Sequence, residues 1–166
     1  DYQGVELKTN EDTSDHSDFL RLVDVLAHGD DAEVASVLDV EEVLHYIALN
    51  TLLVNLDSYT GNGHNYYLYA SSGRFHLIPW DLNEAFANFT CGCDRAGLIG
   101  LMMDEPTCAP LNARPVVGRL LTQDQYLARY HEILSEVLDS LFTPDGMARW
   151  THEAADLVRA TVQADT

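Results

Sequence analysis

Over most of this chain the apolar positions recur every three to four residues, the spacing that lays one hydrophobic stripe along a helix. Ser14 or Asp15 caps the first such stretch, which runs through Ala27 and stops at Gly29. A short helix from Asp31 to Leu38 follows. Asp39 then caps a longer one, Glu41 to Val54, whose Val43, Leu44, Ile47, Ala48 and Thr51 share one face. Further on, Val116 to Leu121 predicts another short helix, and Tyr126 to Phe142 a long one with Leu127, Tyr130, Ile133, Leu134, Val137, Leu138 and Leu141 on its apolar side. Pro144, preset for a first helical turn, opens a last helix through Val162. The pattern changes only in the middle. His64 to Tyr69 and Phe75 to Ile78 are aromatic and β-branched, and Ser71-Ser72-Gly73 between them carries turn chemistry, which predicts a β-hairpin. The expected fold is mainly α with one β-hairpin. The first dozen residues read as a polar connector, Asn88 to Pro115 as a loop rich in Cys, Gly and Pro, and Tyr66, Tyr67, Tyr69, Phe75 and Trp80 as core aromatics.

Composition narrows this further. With 166 residues and a hydrophobic fraction of 46%, the chain can bury a sizeable core, and residues 1–166 are expected to form a single domain. No apolar run reaches the length of about 18 residues that a membrane span requires, so no membrane span is expected. Nine basic residues against 27 acidic ones give a net charge of −18, which disfavours nucleic acid and anionic membrane surfaces as partners. Most of these acids are read as solvating helix faces.

The acids and amides around the hairpin call for a separate reading. Asp57 stands at the entrance of a loop rich in Gly and Asn, Asn65 at its exit, and Asp81 where the hairpin ends. Folding the second strand back along the first brings Asp81 toward the other two. Carboxylate and amide oxygens are the ligands Mg²⁺ accepts when phosphates supply the remainder, and an acid in front of them orients a hydroxyl nucleophile. His64, Asn62, Asn83 and Glu84 are candidate supporting groups. Each has a plainer alternative: Asn55 and Asp57 as helix-end and Asx-turn residues, Asp81 as cap of a short helix from Leu82 to Phe86, and His64 as a packed core group.

The chain has three cysteines, Cys91, Cys93 and Cys108. Cys91 and Cys93 are poorly placed to bridge each other, so Cys108 is expected to join one of them across a loop of about 15 residues. Thiolate binding of zinc and fully reduced cysteines are the alternatives.

The residues in this order resemble the CotH kinase family of spore-coat and secreted atypical protein kinases. The resemblance rests on Tyr46-Ile-Ala-Leu-Asn50 leading into Asn55-Leu-Asp57, then His64-Asn-Tyr-Tyr-Leu-Tyr69, then Ile78-Pro-Trp-Asp-Leu82 with Phe86. Pro110-Leu111, Arg119-Leu-Leu121, Tyr126 to Tyr130 and Val162-Gln-Ala-Asp165 extend it over roughly Leu20 to Asp165. It implies the C-lobe of an atypical protein-kinase-like fold. Asp57 is then the catalytic-loop acid, Asn65 a metal-side amide and Asp81 the metal-binding acid. The implied cofactor is ATP with Mg²⁺ or Mn²⁺, the implied substrate Ser or Thr of a coat or extracellular protein, and the implied location the extracellular space, cell surface or spore coat. Such a location is oxidising and favours the disulfide.

Three departures from the family pattern bear on activity. Asn83 stands where a second acid is frequent, and Ala87 where Gly is common. No GxGxxG or GxxxxGK[ST] segment is present, and Lys8 is the chain's one lysine, so the family's nucleotide-gripping N-lobe is not in this chain. The sequence, which starts at Asp1 without Met, reads as the C-terminal portion of a longer protein whose N-lobe is an intramolecular partner. The 166 residues alone are expected to be inactive. The alternative function is a non-catalytic cell-surface or spore-coat interaction module that keeps the fold.

Overall fold

The computed structural model describes residues 5–165. Helices α1 (Ser17–His28), α2 (Asp31–Val37) and α3 (Val40–Leu52) lead into a hairpin of β1 (Tyr66–Ser71) and β2 (Arg74–Pro79). A 3-10 turn (Leu82–Glu84), α4 (Arg95–Ile99) and a second 3-10 turn (Leu111–Ala113) precede α5 (Pro115–Leu121), α6 (Asp124–Ser140) and α7 (Pro144–Ala164). The fold is therefore mainly helical, with one two-stranded antiparallel sheet in the register Tyr66 opposite Pro79 to Ser71 opposite Arg74. No helix among the described residues is long and apolar enough to cross a membrane.

Local chemistry accounts for the boundaries. Asp30 and Glu33 close a reciprocal capping box on α2, Asp39 caps α3 by accepting from the Glu42 N–H, and Thr143 caps α7. α1 begins later than the sequence predicts. Ser14 and Asp15 spend their oxygens on the N–H groups of His16 and Ser17, and His16, at φ 60°, occupies the N-cap position without its side chain capping the helix. α3 ends at Leu52 because Val54 is left-handed (φ 45°), a conformation that a β-branched residue adopts only under constraint. The 88–115 stretch is less irregular than expected. Asp94 accepts from the Gly97 N–H and opens α4 within it.

The core gathers Val34, Leu38, Val43, Ile47, Val117, Leu120, Tyr130 and Ile133, all fully buried, between α2, α3, α5 and α6, with Phe75 and Leu77 of β2 closing one side. The strand residues alternate, so the expectation of a full aromatic core is corrected. Phe75 is buried, but Tyr67, Tyr69 and Trp80 are 39%, 56% and 57% exposed, because a two-stranded sheet offers the core only one face. Tyr67 and Trp80 instead meet edge to face on the outer side, with ring centroids 5.7 Å apart. Leu138 also leaves its predicted stripe and faces solvent, as do Trp150, Leu157 and Val162 of α7.

Cys93 is bonded to Cys108, with Cα atoms 5.7 Å apart, and Cys91 is free. The bridge ties the start of α4 to the segment ahead of α5. Tyr130 donates its hydroxyl to the Met103 carbonyl (2.8 Å) and fastens the same segment to α6.

Candidate functional site

The site loop is built on an amide relay at the end of α3. Asn50 donates to the Tyr46 carbonyl (2.9 Å), and Asn55 donates to the Asn50 side-chain oxygen (2.9 Å); Asn55 is fully buried. Its own Oδ1 is buried without a hydrogen-bond partner among the described residues. Gly61 must be glycine, since a Cβ there would stand 1.9 Å from the Leu56 carbonyl oxygen. This close approach lets the Asn62 N–H reach the Leu56 carbonyl and the Gly63 N–H reach the Ser58 carbonyl, winding residues 55–65 into a compact loop. Tyr59 anchors it by accepting from the Val116 N–H (3.0 Å). Burial holds the Tyr59 phenol protonated by pushing its pKa well above the usual tyrosine value.

Within that loop the Asp57 carboxylate is fixed by amides. Its Oδ1 accepts from Asn62 (2.9 Å) and its Oδ2 from Asn65 (2.8 Å), whose nitrogen also lies 2.9 Å from the Asp57 carbonyl oxygen. Asn65 spends its side-chain nitrogen on Asp57, which leaves its Oδ1 as the atom available to a cation. Asn65 is left-handed (φ 52°), which ends strand pairing at Tyr66, two residues later than the sequence predicts.

Asp81 is brought to the same region by its backbone neighbours. The Trp80 N–H donates to the Asn65 carbonyl (3.0 Å), while the Phe86 and Ala87 N–H groups donate to the Leu53 and Val54 carbonyls (2.6 and 3.1 Å). Both ends of the 80–87 segment are thus laced to the two ends of the site loop. Asp81, Phe86 and Ala87 all have positive φ, and Asp81, at φ 48°, makes no side-chain cap bond to the 3-10 turn that follows it. Each such left-handed non-glycine residue costs free energy that the surrounding lacing must offset.

The supporting candidates divide. Asn62 holds Asp57 directly. His64 is exposed rather than packed in the core, with its N–H 3.2 Å from the Asn62 side-chain oxygen. Glu84 is engaged by the Asn88 amide (2.6 Å), and Asn83 lies exposed on the 3-10 turn. Arg114 was not legible in the sequence, where it stands 53 positions from the carbonyl it binds, in no motif. Its Nη2 donates to the Gly61 carbonyl (2.5 Å), and its guanidinium packs beside Gly63. Its Nε–H is buried without an acceptor among the described residues. Nearby, burial raises the Cys91 thiol pKa, opposed by the Arg114 charge and reinforced by Asp57. A cleft of about 760 Å³ runs from His64 and Asn65 along β1, with Lys8, Tyr67 and Tyr69 among its walls.

The structure thus pairs a helical fold and one hairpin with an amide-held Asp57 and Asn65 at the hairpin's open end, and it places the Asp81 backbone beside them. The family described as CotH kinase protein matches residues 1–166, and the chain belongs to that family. It is 30% identical over 118 residues to the inner spore coat protein H of Bacillus subtilis (strain 168). That alignment takes in 70% of this chain and 30% of the relative, so the chain spans about a third of the relative's length. No solved structure gives a significant match.

Proposed function

We infer that this chain carries the metal and acceptor side of a phosphoryl-transfer site, as the C-lobe-like part of a kinase-like fold within a longer polypeptide. The observation that supports this most is the amide-clamped Asp57 carboxylate, with Asn65 and Asp81 joined through the Trp80 N–H. The donor set fits a hard divalent ion: Asp81 and the Asn65 side-chain oxygen would hold Mg²⁺ or Mn²⁺. Such an ion, when bound, neutralises charge on the phosphate oxygens of ATP. Asp57 accepts a hydrogen bond from the Ser or Thr hydroxyl and orients it, while Asn62 and Asn65 keep its carboxylate from rotating. Arg114 under the loop, and Lys8 on the cleft wall in its pair with Glu6, supply local positive charge near the site in a chain whose net charge of −18 repels a triphosphate. The acceptor is a coat or extracellular protein. A spore-coat location is supported by the relative's name, and an oxidising location in general by the Cys93–Cys108 bond.

A second reading, an interaction module without catalysis, is favoured by Asn83 where the family often has an acid and by Glu84 being engaged with Asn88. Labelled ATP, Mn²⁺ and a Ser-rich acceptor separate the two when supplied both to this chain and to the longer polypeptide that contains it. Transfer is expected from the longer polypeptide only, with loss of about 10³-fold or more in Asp81→Ala. An inactive longer polypeptide with its fold intact favours the interaction module. Asp81-dependent transfer by the 166 residues alone overturns the division of the site between two parts.

A further inference from the structure

We propose that Asp39, Glu42 and His76 form a separate divalent transition-metal site that clamps the hairpin to the start of α3. The three side chains come from two elements, and one ligand atom from each lies within 4.8 Å of the other two. Asp39 is the N-cap of α3, Glu42 lies one turn into that helix, and His76 is on β2. Their backbones are held together independently of the side chains, because the Asp39 N–H donates to the Phe75 carbonyl (2.9 Å) and Leu38 bridges Phe75. The site is therefore positioned by the fold.

The side chains are arranged for a shared cation. His76 Nδ1 lies 2.6 Å from Glu42 Oε2, and the ring is largely covered. Asp39 Oδ1 accepts only a long bond from the Glu42 N–H (3.3 Å), and its Oδ2 lies 3.4 Å from Arg74, so lone pairs remain on both oxygens. A bound ion would take the place of the direct His76–Glu42 contact. Two carboxylates and a neutral imidazole balance a doubly charged ion, and the Arg74 guanidinium lies 3.4 Å from Asp39 Oδ2. One imidazole nitrogen with two carboxylate oxygens suits Zn²⁺ or Co²⁺ rather than Mg²⁺ or Ca²⁺, which prefer all-oxygen shells. Glu42 is exposed, so water can complete a tetrahedron.

This site is distinct from the Asp57 site. His76 pairs with Tyr69 in the half of the hairpin nearer its turn, whereas Asn65 and Asp81 flank the Tyr66–Pro79 end. Calorimetric titration of the full chain with Zn²⁺, together with visible absorption of the Co²⁺ form, tests the proposal. One equivalent of Zn²⁺ is expected, with a tetrahedral Co²⁺ spectrum and no competition from millimolar Mg²⁺. His76→Ala and Glu42→Gln, both checked for fold by circular dichroism, should each weaken binding 10- to 100-fold, whereas Asp81→Ala and Cys91→Ser should not change it. The exposed Glu42→Gln change keeps the helix, so it reports on ligation even if the His76 variant unfolds. Binding that is absent, that survives both ligand changes, or that follows Cys91 or Asp81 instead overturns the assignment.

Discussion

Replacing Asp57 by Ala in the longer polypeptide is expected to lower kcat for phosphoryl transfer by about 10²- to 10⁴-fold, the range for a group that positions and accepts a proton. The KM for ATP should change little, because the proposed role of Asp57 is toward the acceptor hydroxyl and not the phosphates. Asp57→Asn should lose nearly as much. It keeps the shape but removes the charge, and its NH₂ would confront the donors of Asn62 or Asn65 that now point at the carboxylate. Asn62→Ala should cost less, about 10-fold, since Asn65 still holds the other oxygen. Steady-state kinetics at saturating acceptor, with circular dichroism to confirm folding, distinguishes these outcomes. An Asp57→Asn enzyme with wild-type kcat removes Asp57 from the chemistry.

The second large effect concerns stability. Cys108→Ser opens a bridge that closes 15 residues of chain, which the chain-entropy account values at roughly 3 kcal/mol. For a domain of this size that corresponds to a fall in Tm of roughly 6–12 °C. The loss should also reach the site, because Thr107, next to the bridge, lies 3.5 Å from the Gly61 carbonyl that Arg114 holds. Thiol counting on unfolded, unreduced protein should find one free group, Cys91. Three free thiols would remove the bridge and weaken the oxidising location with it.

What the sequence made legible followed from short-range regularity. The period of Val43, Leu44, Ile47 and Ala48 found the buried face of α3, and the turn chemistry of Ser71 to Gly73 found the hairpin. Asp57, Asn62 and Asn65 were selected by type and spacing, and the structure ties them by direct hydrogen bonds. What depended on distant contacts was not legible. Arg114 enters the site through a carbonyl 53 residues away. Cys91 and Cys93 stand two positions apart, so only the path of the chain into α4 selects Cys93. Tyr67, Tyr69 and Trp80 read as core because aromatic residues favour burial, but a sheet of two strands has a core side and a solvent side, and these three fall on the solvent side. The left-handed turns at Val54, Asn65 and Asp81 also escaped, since backbone constraint there comes from the lacing of two segments rather than from glycine.

Anomalous scattering from Mn²⁺ in crystals of the longer polypeptide, grown with a non-hydrolysable ATP analogue, tests the central claim most directly. The account predicts a peak within coordination distance of Asp81 and the Asn65 side-chain oxygen, with the terminal phosphate on that ion and the Asp57 carboxylate left open toward the position of the acceptor hydroxyl. Mn²⁺ and nucleotide bound elsewhere, with Asp57 and Asp81 on opposite faces of the hairpin, would contradict it.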